Sequence, residues 1–127
     1  MNRAKILVVE DESEVAETLK IMLKKFGYNV VGCENKAESA IQKAGNLHPD
    51  LVLMDIELSG KMDGVEAADT IRKKYHIPVI YITAICDAKT LERVGASVPY
   101  GYILKPFTEN ELHTVIEISL ETLAKKK

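Results

Sequence analysis

The sequence alternates short apolar runs with longer segments of helical periodicity from one end to the other. Five runs rich in β-branched and other apolar residues predict strands at residues 6–9, 28–33, 51–54, 78–82 and 100–104. Apolar residues spaced three and four apart predict the helices that follow them, at residues 15–26, 37–47, 65–75, 87–94 and 112–123. Five βα units in succession predict an α/β fold of the flavodoxin-like kind. Its five-stranded parallel sheet should have the order 2-1-3-4-5, with five helices on both faces.

Length and composition predict one ordinary globular domain over residues 1–127. Hydrophobic residues make up 46% of the chain, and 17 basic residues nearly balance 19 acidic ones. This balance argues against a nucleic-acid-binding protein, which would carry a basic surface. No apolar run approaches the roughly 18 residues of a membrane span, and no signal-peptide pattern is present. Two cysteines in a chain of this length indicate reduced thiols. We therefore expect a cytoplasmic protein with no membrane contact.

Several helix ends are also predicted from the sequence. Gly27 is placed to end the first helix, because glycine adopts the left-handed conformation at low cost. Asn35 with Glu38, and Thr108 with Glu111, have the spacing of a capping box at a helix N-terminus. The three histidines lie in unrelated segments without metal-ligand spacing.

Polar residues follow four of the predicted strands at the point where each strand ends. Glu10 and Asp11 follow the first strand, Asp55 the third, Thr83 the fourth and Lys105 the fifth. In an open parallel sheet, ligands bind at the carboxyl ends of the strands near the switch in strand order. We therefore expect these side chains to meet at one edge of the sheet.

These side chains are of the types that bind a divalent cation and a phosphoryl group. Packed carboxylates repel one another unless a cation is present, and Mg²⁺ favours oxygen ligands and keeps several of its waters. Asp11 and Asp55 would be direct ligands, whereas Glu10 would act through a bound water. Lys105 would add a second positive charge, so the edge could hold a phosphoryl group. The alternative for Asp11 is a purely structural one, in which it caps the first helix together with Glu14.

Five segments of the chain resemble the receiver domain of response regulators in two-component signalling. They cover nearly the whole chain and are residues 6–12, 50–56, 62–64, 78–84 and 101–107. The resemblance implies that Asp55 is the phosphoacceptor and that Glu10 and Asp11 are the acidic pair that binds Mg²⁺. It also implies that the backbone carbonyl of Glu57 completes the metal ligands, and that Thr83 is the switch hydroxyl.

The resemblance assigns roles at the end of the fifth strand as well. Lys105 would pair with a phosphoryl oxygen, Tyr102 would be the aromatic switch residue, and the bond before Pro106 would be cis. The implied function is a phosphorelay step. Asp55 would accept a phosphoryl group from a sensor histidine kinase or a phosphotransfer protein. Such a domain is not an enzyme in the ordinary sense, because it catalyses only its own phosphorylation and slow dephosphorylation. The surface of the fourth helix, fifth strand and fifth helix would then bind a partner or form a homodimer.

The sequence departs from the family pattern in one loop. The family usually has a proline shortly after the phosphoacceptor and a path to the following Asp-Gly that is one residue shorter. Here residues 58–62 lack a proline before Asp63-Gly64, a pair that predicts a turn.

Two other functions fit the polar residues at the strand ends. One is a Mg²⁺-dependent phosphotransferase or phosphatase with Asp55 as transient nucleophile, and the other is an interaction module that is never phosphorylated.

Overall fold

A computed structural model of the chain describes residues 3–126 and has five strands and five helices in strict alternation. The strands are β1 (Lys5–Val9), β2 (Asn29–Glu34), β3 (Leu51–Met54), β4 (Val79–Thr83) and β5 (Gly101–Leu104). The helices are α1 (Ser13–Lys25), α2 (Ala37–Leu47), α3 (Gly64–Tyr75), α4 (Ala88–Ala96) and α5 (Glu109–Lys125). The predicted and observed elements agree, with boundaries that differ by a few residues.

The strands form one parallel sheet in the order β2-β1-β3-β4-β5. This confirms the predicted topology. β3 and β4 are buried at every position, because the sheet has helices on both faces and its central strands have no exposed side.

Alternate residues of the central strands supply two separate cores. Leu7 and Val9 of β1 face a core that includes buried residues of α2, α3 and α4. Ile6 and Val8 face the opposite core, which includes Leu23 of α1 and buried residues of α5. The side-chain period of two along a strand explains this division. Both sheet faces are thereby covered, and the carboxyl ends of the strands form one edge of the molecule.

The helix ends show which local predictions were right. Gly27, with a φ of 94°, directly follows Phe26, the C-cap residue of α1, and so lies at the end of this helix as predicted. Thr108 and Glu111 form the predicted capping box of α5. The Asn35 prediction was wrong. α2 begins at Ala37, so Lys36 is its N-cap residue and makes no side-chain capping bond.

Two histidines have a structural role at the ends of helices. His48 and His76 are the C-cap residues of α2 and α3, with positive φ values of 47° and 59°. Glycine or asparagine is more usual in this left-handed conformation.

Both cysteines, Cys33 and Cys86, are exposed free thiols. Within residues 3–126 no helix has the length and apolarity needed to cross a membrane.

Candidate functional site

Three carboxylates lie together at the carboxyl edge of the sheet. Glu10 follows β1 and Asp55 follows β3, and the two strands pair in parallel with Val9 opposite Met54. One carboxylate oxygen from each of Glu10, Asp11 and Asp55 lies within 4.8 Å of the others. Glu10 and Asp55 are each 3% exposed, whereas Asp11 is exposed. The strand register thus brings together residues that lie far apart in the sequence.

A lysine from the end of β5 lies against this cluster. The Nζ atom of Lys105 is 2.9 Å from Glu10 Oε1 and 3.0 Å from Asp55 Oδ2. It also lies 3.4 Å from Glu12 Oε1. The peptide bond between Lys105 and Pro106 is cis. One ammonium group therefore lies close to three carboxylates, and two of them, Glu10 and Asp55, belong to the carboxylate cluster of Glu10, Asp11 and Asp55.

Burial and charge shift the pKa values of the two groups in closest contact. Desolvation raises the pKa of Glu10 to about 7, although the ammonium group of Lys105 and a backbone N–H counteract the rise. For Lys105, burial lowers the pKa, but contacts with Glu10 and Asp55 outweigh that effect and raise it overall. The lysine is thus held in its charged form. Further positive charge at this edge of the sheet would stabilise the ionised form of the buried Glu10.

Backbone N–H groups orient each of the three carboxylates. Glu57 N donates to Asp55 Oδ1 at 3.1 Å, and Glu12 N donates to Glu10 Oε2 at 3.1 Å. Ser59 N, from the loop between β3 and α3, donates to Asp11 Oδ2 at 3.2 Å. These contacts fix where the charged oxygens point. The capping alternative for Asp11 is wrong, because α1 begins at Ser13 with Glu12 as its N-cap residue.

The donor set fits a hard divalent cation. All three clustered side chains offer carboxylate oxygens, which are the ligands that Mg²⁺ prefers. Glu10 Oε1 is buried and lies 2.9 Å from Lys105 Nζ, an ammonium group that it shares with Asp55 and Glu12. One shared ammonium group leaves the buried carboxylates with an excess of negative charge, which is costly. A cation at this edge would offset that cost, so the residues present fit the metal that the sequence predicted.

The two predicted switch residues lie on neighbouring strands, Thr83 at the end of β4 and Tyr102 within β5. Thr83 is fully buried, and its Oγ1 accepts a hydrogen bond from Ile85 N at 3.3 Å. The Tyr102 hydroxyl donates to the carbonyl of Ile85, and its ring centroid lies 6.3 Å from that of Tyr81. Ala84, between Thr83 and Ile85, is exposed. Thr83 and Tyr102 thus both bind the same short loop, at Ile85.

Some residues around the site were not predicted from the sequence to belong to it. Asp63 is the N-cap residue of α3, within a capping box with Glu66, and also forms a two-point ion pair with Arg93 of α4. Gly64 packs its α-carbon against the backbone of Asp55. The Asp63-Gly64 pair was predicted as a turn, and the Asp-x-x-Glu spacing with Glu66 was the signal that could have revealed the helix cap.

The chain matches a family model across most of its length. The model of the response regulator receiver domain matches residues 6–117. The chain belongs to this family. Its relatives include the transcriptional regulatory protein PdtaR of Mycobacterium tuberculosis, 32% identical over 116 residues, which are 91% of this chain and 56% of PdtaR. The chain thus spans about half the length of the curated relative it matches.

Two solved structures show the same fold at higher identity. The signal receiver domain of a modulated diguanylate cyclase from Desulfovibrio desulfuricans G20 is 36% identical with a TM-score of 0.94, covering 99% of this chain and 100% of that one. The N-terminal domain of a response regulator/sensory box/GGDEF protein from Carboxydothermus hydrogenoformans is 38% identical with a TM-score of 0.87. The match covers 96% of this chain and 98% of that domain. These matches confirm the predicted fold and the predicted family.

Proposed function

We propose that Asp55 accepts a phosphoryl group in a reaction that requires Mg²⁺. The observation that carries the proposal is the setting of the Asp55 carboxylate. It is almost fully buried, it lies next to two other carboxylates, and Lys105 Nζ is 3.0 Å from its Oδ2. A structural ion pair would not need two further acids at the same point. A site for a metal and a phosphoryl group does need them, because charge must be neutralised from two sides.

The reaction follows from the groups at this edge of the sheet. A carboxylate oxygen of Asp55 attacks the phosphorus atom, forming an acyl phosphate. The bond from phosphorus to the donor breaks, and the donor takes the electron pair. A phosphohistidine of a sensor kinase or phosphotransfer protein is the expected donor, and a small acyl phosphate could replace it. Lys105 neutralises charge on the phosphoryl oxygens, and hydrolysis of the acyl phosphate later restores Asp55.

The metal would be held by Glu10, Asp11 and Asp55, with the backbone carbonyl of Glu57 as a further ligand. When bound, Mg²⁺ supplies positive charge to the phosphoryl oxygens during transfer. The exposed position of Asp11 leaves one side of the cluster open to solvent, so that waters and the phosphoryl group can reach it.

Phosphorylation would be transmitted through Thr83 and Tyr102. We expect the Thr83 hydroxyl to turn from Ile85 N towards the phosphoryl group, which would free the loop that Tyr102 also binds. The surface that would respond consists of α4, β5 and α5. Each of these elements exposes one large apolar side chain, namely Leu91 (42% exposed), Leu104 (46%) and Ile118 (60%). A partner protein or a second copy of the chain would dock on this surface.

One incubation tests the proposal against the two other functions that fit the sequence. The protein is mixed with acetyl phosphate and Mg²⁺, and the intact mass is followed with time. A single phosphoryl adduct that decays slowly supports a phosphoacceptor. Rapid turnover of the donor without an adduct favours a phosphatase or phosphotransferase, and neither adduct nor turnover favours an interaction module.

Matched variants locate the adduct. Asp55→Asn should abolish it, since an amide is not a nucleophile under these conditions. Asp69→Asn is the control, because Asp69 lies on α3 and pairs with neighbouring Arg72 and Lys73.

For the docking surface, Leu104→Asp should reduce phosphorylation-dependent association. The control Ile21→Asp, at a 66% exposed position of α1, should not.

A further inference from the structure

In the loop between β3 and α3, residues 55–63, one backbone group contacts Asp11 of the carboxylate cluster. Ser59 N donates to Asp11 Oδ2 at 3.2 Å, across 48 residues of sequence. This is the loop that lacks the proline of the family pattern. Proline has no N–H and could not make this bond. Any residue other than proline at position 59 could supply this N–H.

The three carboxylates of the cluster are held in different ways. Glu10 and Asp55 are buried, contact Lys105, and each accept an N–H from the residue two positions further along the chain. Asp11 is exposed, and among the described residues its only hydrogen-bond donor is Ser59. An exposed aspartate samples several rotamers unless a partner selects one. The Ser59 N–H is that partner.

The loop is itself anchored, so its N–H is held in place. Leu58, directly before Ser59, is buried in the core that covers one face of the sheet. Gly60, directly after it, has a φ of 106°, a conformation that other residues rarely adopt. At the far end of the loop, Asp63 caps α3 and pairs with Arg93 of α4. A fixed donor between two anchors can orient a flexible acceptor.

We propose that the backbone N–H of Ser59 is a positioning group for Asp11, which holds this carboxylate ready to bind Mg²⁺. The inference rests on the proposed function, because it assigns Asp11 to the metal. The bond uses one lone pair of Oδ2, and the other lone pairs of the carboxylate remain available to the ion. Since the rotamer is selected before the metal arrives, binding loses less side-chain freedom and is tighter. By linkage, bound metal should in turn strengthen the Ser59–Asp11 bond.

The test compares two substitutions at the same position. Ser59→Pro removes the N–H, whereas Ser59→Ala keeps it and removes only the hydroxyl. Mg²⁺ affinity is measured by calorimetry without any phosphoryl donor, so the outcome does not depend on whether Asp55 becomes phosphorylated. Ser59→Pro should bind Mg²⁺ roughly fivefold more weakly, as expected for one exposed hydrogen bond. Ser59→Ala should bind it as the wild type does.

Phosphorylation kinetics then separate positioning from catalysis. With acetyl phosphate as donor, Ser59→Pro should need more Mg²⁺ for half-maximal rate but reach the wild-type rate at saturation. Equal Mg²⁺ affinities in the wild type and both variants would overturn the proposal. An equal loss of Mg²⁺ affinity in both variants would overturn it too, because the effect would then belong to the Ser59 hydroxyl or to the loop as a whole.

A measurement on the wild type keeps the proposal testable if Ser59→Pro does not fold. Amide hydrogen exchange of Ser59, detected by NMR, should slow when Mg²⁺ is added. The amide of Gly95 in α4, remote from the cluster, serves as the reference and should not change. Unchanged or faster exchange at Ser59 in the presence of bound Mg²⁺ would contradict the coupling.

Discussion

Gly64→Ala should both destabilise the fold and disturb the candidate site. A Cβ atom at this position would lie 2.0 Å from the backbone oxygen of Asp55 and 2.8 Å from the α-carbon of Ile56. Both neighbours are backbone atoms of a buried segment, so neither can move aside as a side-chain end could. Gly64 N also donates to the carbonyl of Ile56 at 2.9 Å. The helix and the segment after β3 would have to separate, and Asp55 would move with them.

The magnitude follows from two opposing effects. Overpacking of this kind costs about 1–3 kcal/mol, and a clash with backbone belongs at the upper end. Replacing glycine by alanine in a helix raises the free energy of unfolding by at most about 1 kcal/mol. We expect a net loss of about 2 kcal/mol in the free energy of unfolding, which lowers the melting temperature by roughly 8 °C in a domain of this size.

Gly95→Ala is the matched control. Gly95 lies within α4 and is exposed, and a Cβ atom added there would project into open space. There the helix preference acts alone, so this variant should be stabilised by about 0.5–1 kcal/mol. Urea unfolding of both variants gives the comparison, and the rate of phosphorylation by acetyl phosphate should fall only for Gly64→Ala. The reasoning is refuted if Gly64→Ala is as stable as the wild type and is phosphorylated at the same rate.

Three further predictions concern α4 and the end of β4. Asp63 is half-buried, which raises its pKa, but the Arg93 ion pair and the helix cap lower the pKa overall. Asp63→Asn should therefore cost up to about 1 kcal/mol at pH 7. The difference from wild type in urea unfolding should shrink as the pH falls below about 4 and vanish once the pH is below the lowered pKa of Asp63. Burial raises the pKa of Tyr81 to about 12, so its hydroxyl stays protonated and bonded to Ser97 at 2.7 Å. Tyr81→Phe should lose about 1 kcal/mol in thermal unfolding, and an unchanged melting temperature would argue against that bond. Thr83→Ala should still be phosphorylated but should lose the phosphorylation-dependent NMR shifts of α4, and retained shifts would exclude coupling through this hydroxyl.

The fold could be predicted because every element carries its own signal. The continuous apolar runs of β1, β3 and β4 mark strands that are covered on both faces, and helical stripes separate them. Parallel strands then bring their carboxyl ends to one edge. For that reason the proximity of Glu10, Asp55 and Lys105 could be expected from their positions after the strands, without knowledge of any distance.

The loop contacts could not be predicted in the same way. The bond from Ser59 to Asp11 depends on the positive φ of Gly60 and the burial of Leu58, and neither leaves a periodic pattern in the sequence. The pairing of Asp63 with Arg93 joins residues 30 positions apart on two different elements, and local sequence does not encode such a contact. The capping hypothesis for Asp11 failed because the start of α1 at Ser13 leaves Asp11 outside the N-cap position.

The central claim is that Asp55 carries the phosphoryl group, and chemical trapping tests it most directly. After incubation with acetyl phosphate and Mg²⁺, borohydride reduces an aspartyl phosphate to homoserine, and peptide mass spectrometry locates that residue. We predict homoserine at position 55, dependent on Mg²⁺, with Glu10 and Asp11 unmodified. Trapping at another residue, or no trapping in a protein that binds Mg²⁺, would contradict the claim.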